Sequence, residues 1–395
     1  MNKQTVHYLI GGVFAFIVAM GISRFAYTVI LPYMQEAFAF SRATAGFLAT
    51  SNYLGYFVGA IIVGRLQFKE KRIPFLQLAL VISIVTTGLM GCTKVIFVWY
   101  VLRFISGVMS AFIFVIAASL VLDQLATSRK SHLSGIFYSG VGIGIALSAL
   151  IVSPIHALFN WYGTWFALAL FSSILLIFIV ILIKPNTLKT QQQTSETPIL
   201  RKALPTRWIK WLVLAYSLEG LGYIITGTFI VSIANESTSF QGDAVFVWFV
   251  VGIAAIPSCF IWSKLAQRWG YVMTLFIAML LQSLGIVLPA LSTNTFTIYT
   301  SAFIFGATFM GITTVATTLA KQIVPLNSHK ILGVLTAGYA LGQLLGPSLA
   351  GILANYTNSY QYALIGASAV VLVGAICLIN GIKYEKNNSE LQQIR

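Results

Sequence analysis

Three ionisable side chains stand in stretches that are otherwise apolar: Arg24 in "GISRFAYTVILPYM" (21–34), Arg103 in "RFISG" (103–107) and Glu219 in "YSLEGLGY" (216–223). A lone charge at mid-membrane costs about 2.5–3.5 kcal/mol even on the lenient insertion scale, so residues of this kind mark ligand contacts, ion paths or proton relays. Arg24 lies about seven residues, roughly 10 Å, from the outer end of its apolar run, which is near or beyond the reach of a snorkelling arginine. It is therefore expected to face the protein interior, where an unpaired charge is among the costliest states a protein can hold. A planar guanidinium is suited to a carboxylate, and Arg24 is the candidate substrate anchor. Arg103 sits at similar depth in a segment running the other way, and snorkelling to the headgroups is the alternative for it. Glu219 admits three readings: a proton carrier, a counter-charge to an arginine, or a carboxyl kept neutral by desolvation.

The elements that position these residues are membrane helices. The chain is 8% charged and 58% hydrophobic, with a mean hydropathy of +0.88, where a soluble domain carries about a quarter charged residues. Twelve windows of spanning length recur, near 8–31, 43–66, 74–93, 95–122, 132–154, 161–183, 208–234, 244–263, 271–291, 295–320, 331–354 and 360–382. Each is long enough to cross a hydrocarbon core of about 30 Å. The first window is too long for a cleaved signal peptide and lacks a small-residue cleavage site.

The net charge of +15 is not spread as a nucleic-acid surface would require. Twenty of the 24 lysines and arginines fall in alternate connections, in the stretch between spans six and seven, and in the two tails. Only Arg42 and Lys94 fall on the opposite side. This bias predicts both termini in the cytoplasm. Cys92, Cys259 and Cys377, and His7, His132, His156 and His329, show no metal-ligand spacing. No Walker-type phosphate loop occurs, so ATP is not expected as a direct energy source.

The polar stretch "KPNTLKTQQQTSETPILRKALPTR" (184–207) divides the spans six and six and reads as a cytoplasmic linker between bundles 1–183 and 208–395. Features repeat across it. Basic turns "GRLQFKEKR" (64–72) and "SKLAQRWG" (263–270) follow the second and eighth spans, and the fifth and eleventh carry "GVGIGIALSALIVSP" and "GYALGQLLGPSLAG". Such parallel repeats suit a six-plus-six transporter. The chain resembles the major facilitator superfamily, most closely its YbfB/YjiJ-type branch of bacterial transporters. The likeness is carried by "GISRFAYTVILPYM", "SNYLGYFVGA", "GYIITGTF", "GIAAIPSCFIW", "GATFMGITTVATTLA" and "LGQLLGPSLAG". The loop after the second span departs from the superfamily's pattern, lacking its Asp and second Gly.

The resemblance implies an all-α membrane fold of twelve helices in two pseudo-symmetric bundles, with spans one, four, seven and ten lining a central cavity. Arg24, Arg103 and Glu219 would then share one space, net positive if all are charged, which favours a small organic anion as substrate. Tyr27 and Tyr223, beside Phe25 and Phe229, would contact it, as would Thr313 and Thr317, which stand four apart on one helix face as Thr314 and Thr318 do on theirs. For the aromatics the alternative is packing. For the threonines it is a hydroxyl bonded back to its own helix. "RFISG" resembles a signature associated in the superfamily with proton coupling, which makes Arg103 and Glu219 the coupling pair. Gly338, Gly342 and Gly346, followed by Pro347, form a stripe that is either a bending seam or static close packing.

The expected protein is thus a monomeric, proton-coupled secondary transporter of the bacterial cytoplasmic membrane, using alternating access and no cofactor or metal. The rival is proton-antiport efflux of amphipathic drug-like compounds. A membrane-embedded enzyme would want clusters of catalytic groups at depth, and a receptor would bind without moving its ligand.

Overall fold

The computed structural model describes residues 2–66, 71–130, 133–184, 206–324 and 328–385. Among them the chain is helical, without strands, and eleven helices are long and apolar enough to cross a membrane. These begin with α1 (Lys3–Phe38), α2 (Arg42–Arg65), α3 (Arg72–Leu89) and α4 (Ile96–Thr127). The next, Ser134–Leu182, has 49 residues, about 70 Å of helix and over twice the thickness of a bilayer core. It breaks at Phe159 and at Asn160, whose φ of 57° leaves the right-handed helical region. The break makes two spans, α5 (134–159) and α6 (160–182). The second half holds α7 (Ile209–Glu236), α8 (Val245–Trp269), α9 (Tyr271–Leu291), α10 (Thr295–Ile323), α11 (Ser328–Thr357) and α12 (Gln361–Cys377). Twelve spans result, as the hydropathy expects. The linker expected at 184–207 lies, except at its ends, outside the described residues.

Helices α1–α6 pack on one another, as do α7–α12, and the two bundles meet along α2–α11, α5–α8 and α1–α7. Helices α1 and α7 are the innermost: 83% of the apolar window of each is buried, against 28% in Ser134–Leu182. The outward face is a coat of exposed apolar side chains such as Phe97, Leu170, Leu284 and Val373, a surface suited to lipid.

The α2–α11 crossing depends on two glycines. A Cβ on Gly46 would collide with the Pro347 carbonyl oxygen, and one on Gly351 would stand 2.6 Å from the Arg42 carbonyl oxygen. Backbones meet here without side chains between them. Hydrogen bonds and an ion pair join the bundles at this crossing and at the neighbouring α1–α7 and α5–α8 contacts. Arg42 pairs with Glu236 at 2.9 Å, Ser153 donates to Asp243, Thr28 to the Gly227 carbonyl at 2.6 Å, Thr50 to the Leu344 carbonyl at 3.1 Å, and Arg24 to Gln343. They run from the end where α1 finishes and α2 begins down to the level of Arg24. That end is held shut.

Candidate functional site

Helix α1 is not a regular α-helix where the site is built. From Ile17 to Ile22 it winds as a π-helix, with Ser23 N–H donating to Val18 and Phe25 N–H to Met20, at 2.9 and 3.1 Å. Such widened turns are often found at functional sites. Gly21 allows the break to lie against α5: a Cβ on its neighbour there, Gly144, would stand 2.8 Å from the Gly21 Cα. Helix α4 then supplies donors to the disturbed backbone. Ser110 donates to the Ala19 carbonyl at 3.0 Å and Ser106 to the Ser23 carbonyl at 3.2 Å. Arg103 donates to the carbonyls of Ser23 and Arg24 at 3.2 and 3.4 Å. Positions 103, 106 and 110 share one face of α4.

Arg103 is therefore held by α1, its guanidinium also 4.6 Å from the centre of the Tyr27 ring. Tyr27 in turn donates to the Ala45 carbonyl of α2 at 3.0 Å. The expected partner of Arg103, Glu219, is not beside it. Glu219 is fully buried, and its carboxyl faces the amide of Gln282 on α9, both oxygens short of a complete hydrogen bond. Among the described residues Glu219 forms no ion pair with Arg24 or Arg103 in this state. The described ion pairs are Arg42–Glu236 and Arg72–Asp123, both at the periphery.

Arg24 is 2% exposed. Its terminal nitrogen donates to Gln343 Oε1 of α11 at 2.8 Å, across the bundle boundary. Its guanidinium lies 4.1 Å from the Tyr56 ring centre, 5.0 Å from Tyr53 and 5.4 Å from Phe25. Aromatic faces attract a cation without neutralising it, and Nε has no hydrogen-bond partner. Gln343 passes the link on, its amide donating to the Tyr223 hydroxyl. Tyr223 stacks with Tyr339, Phe305 and Phe309 at 5.5–6.1 Å, and Tyr216 stacks on Tyr339 at 4.2 Å. Arg24 thus sits on the first bundle facing an aromatic wall on the second.

Among the residues singled out from sequence, the structure joins Arg24 and Tyr223 through Gln343, and Arg103 with Tyr27. Thr313 reaches the aromatic wall rather than the arginines, its side chain lying against Tyr216, and Thr317 is one turn further along α10. Their half-buried hydroxyls bond back to the Phe309 and Thr313 carbonyls at 3.2 and 2.8 Å. The glycine stripe faces α7 inside its own bundle: a Cβ on Gly342 would stand 2.6 Å from Leu221 N, and one on Gly346 the same distance from Leu221 O. Pro347 alone turns its carbonyl to the other bundle, against Gly46. Sequence reasoning missed Gln343, Tyr53 and Tyr56. The tyrosines stand three apart in "SNYLGYFVGA", a spacing that puts both on one helix face.

Comparison with known proteins gives a consistent set of likenesses. The family described as "Uncharacterised MFS-type transporter YbfB" matches residues 16–379. A relative in Bacillus subtilis (strain 168), the uncharacterized MFS-type transporter YceJ, is 25% identical over 93% of this chain and 95% of its own. The class H tetracycline resistance protein of Pasteurella multocida is 21% identical over 84% of each chain. Among solved structures, the nucleoside transporter NupG superposes with a TM-score of 0.72 at 15% identity, covering 96% of this chain and 99% of NupG.

Proposed function

The chain belongs to the YbfB-type family of the major facilitator superfamily, a family of membrane transporters, and from that premise we propose that it moves a small organic anion by proton-coupled alternating access. The observation that carries this reading is Arg24: a buried guanidinium with a free Nε–H, no carboxylate partner, and a single hydrogen bond across the bundle boundary. A substrate carboxylate would supply the missing counter-charge and a bidentate partner. The aromatic wall of Tyr223, Tyr339 and Phe309 suits a substrate with a flat apolar body.

In this reading the moving units are bundles 1–183 and 208–395, joined by a cytoplasmic linker, and the transporter works as a monomer. Both termini are cytoplasmic, which makes the shut end the outer one. Binding of an anion at Arg24 competes with the bond to Gln343 and so loosens one tie across the boundary. Glu219, one turn from Tyr223 on α7, carries the proton. A carboxyl at that place can load and release a proton when water reaches it in an open state. Arg103 keeps α1 in its broken shape, and through α1 it positions Arg24.

The rival reading, efflux of amphipathic drug-like compounds, is favoured by the aromatic stack and by the likeness to a tetracycline resistance protein. A ligand panel on the purified protein separates the two, because binding to the folded state raises apparent thermal stability. Planar aromatic carboxylates are expected to raise the melting temperature. Stabilisation by lipophilic cations alone, with no response to any anion, would replace the anion reading by the efflux reading.

A further inference from the structure

A second basic site lies outside the central region. A cavity of about 610 Å³ opens where α7 begins and where the helical segment after α12 ends, lined by Arg207, Trp208, Lys210, Trp211, Lys383 and Tyr384. Three of the seven lining residues, which also include Asn380, are cations and none is an acid. None of the three cations is in an ion pair among the described residues. Glu385, next in the chain, is committed elsewhere: its carboxylate accepts the N–H groups of Tyr271 and Val272 at 2.7 and 3.0 Å, at the start of α9. The cavity is thus positive and, among the described residues, holds no counter-charge.

Its walls are largely aromatic. Trp208 is 3% exposed and packs where Gly381 leaves room, since a Cβ there would stand 3.0 Å from the indole nitrogen. That nitrogen has no hydrogen-bond partner. It is sealed against Gly381 and away from solvent, so Trp208 serves as a fixed aromatic wall of the cavity. Trp211 and Tyr384 are partly exposed at the rim, with the Lys210 ammonium 5.5 Å from the Trp211 ring. Aromatic rims of this kind sit at the headgroup level of membranes. About one turn deeper on each helix, Leu214 and Ile379 present bare apolar surface, so the cavity continues into a face made for acyl chains.

We propose that this cavity binds the phosphate headgroup of an anionic phospholipid, its phosphodiester held by Arg207, Lys210 and Lys383 and its acyl chains lying along Leu214 and Ile379. Basic pockets at the helix ends of membrane proteins recognise anionic headgroups in this way. The apolar continuation favours a lipid over a soluble phosphate, which would gain nothing from it. Under the orientation proposed above, the lipid is drawn from the inner leaflet. It bridges the start of α7 to the end of the second bundle, and so fixes the end of the innermost helix of that bundle.

The test uses the full chain in nonionic detergent, titrated with phosphatidylglycerol, with phosphatidylcholine, and with soluble glycerol 3-phosphate, reading apparent melting temperature and retained lipid by native mass spectrometry. Phosphatidylglycerol is expected to stabilise the wild type and to remain bound. The variant Arg207→Gln/Lys210→Gln/Lys383→Gln should need about tenfold more of it or worse. Lys383→Gln alone, a change at a surface position that leaves folding intact, should weaken binding measurably if the triple variant fails to fold. Equal stabilisation by phosphatidylcholine, equal protection by glycerol 3-phosphate, or unchanged phosphatidylglycerol binding by Lys383→Gln would each overturn the proposal.

Discussion

Replacing Arg24 by lysine is expected to weaken binding of an anionic substrate by about ten- to a hundredfold, while the protein still inserts and folds. Lysine keeps the charge but loses the planar fork that can grip a carboxylate with two parallel hydrogen bonds. A hydrogen bond to a charged group is worth about 1.5–3 kcal/mol, and each 1.4 kcal/mol is about a factor of ten in affinity. The stacking on Tyr56, at 4.1 Å from its ring centre, also depends on a flat cation. Isothermal titration or melting-temperature titration with an anion identified in the ligand panel measures the change. Equal affinity in wild type and Arg24→Lys, together with equal transport, would reduce Arg24 to a structural charge.

Gly46→Val is expected to cut transport by more than about tenfold through the shut end. Its Cβ would collide with the Pro347 carbonyl oxygen, and Gly351 Cα stands 3.3 Å from the same position. Both neighbours are backbone, so no side chain can swing aside, and overpacking of this kind costs about 1–3 kcal/mol or more. The cost falls only on the state in which α2 and α11 touch, and the balance of states moves away from it by the corresponding factor. Gly64→Val, on the same helix but with nothing within 4 Å of its Cβ, is the matched control and should transport normally. Arg42→Ala, by contrast, removes an ion pair whose side chains are 25% and 38% exposed. It should change transport by less than about fivefold, because exposed pairs are worth about 0–1 kcal/mol. Spin labels at Phe47 and Ile352, both on exposed faces beside the crossing, should separate in Gly46→Val. An unchanged distance and unchanged transport would show that the crossing tolerates the added volume.

What could be read from the sequence follows from which signals are local. The twelve spans were legible because each is a continuous apolar run, and even the fused helix Ser134–Leu182 divides near the "HALFNWYG" stretch, where the apolar run weakens. The burial of Arg24 was legible because helix rise converts residue count into depth. Its partner was not: Gln343 lies 319 residues away, and no spacing rule links a glutamine on α11 to an arginine on α1. The π-helical break at Ile17–Ile22 has no proline to announce it. Without that break in view, Arg103 looked like a free cavity charge, whereas its guanidinium is taken up by the carbonyls of α1. Glu219 shows the same limit. Its position on α7 gives its depth, but which of several neighbouring helices receives a long side chain is decided by packing, and here it faces Gln282 of α9.

Proton-coupled transport of an organic anion would show itself as accumulation in proteoliposomes under an imposed pH gradient, measured for wild type and for Glu219→Gln. Glutamine keeps the shape beside Gln282 and removes the titratable group, so folding and ligand binding should persist. Wild type is expected to concentrate the anion when the gradient is present and only to equilibrate it when the gradient is absent. Glu219→Gln should bind the same anion yet equilibrate it in both conditions. Saturable binding by wild type with no flux, or gradient-driven accumulation that survives intact in Glu219→Gln, would contradict it.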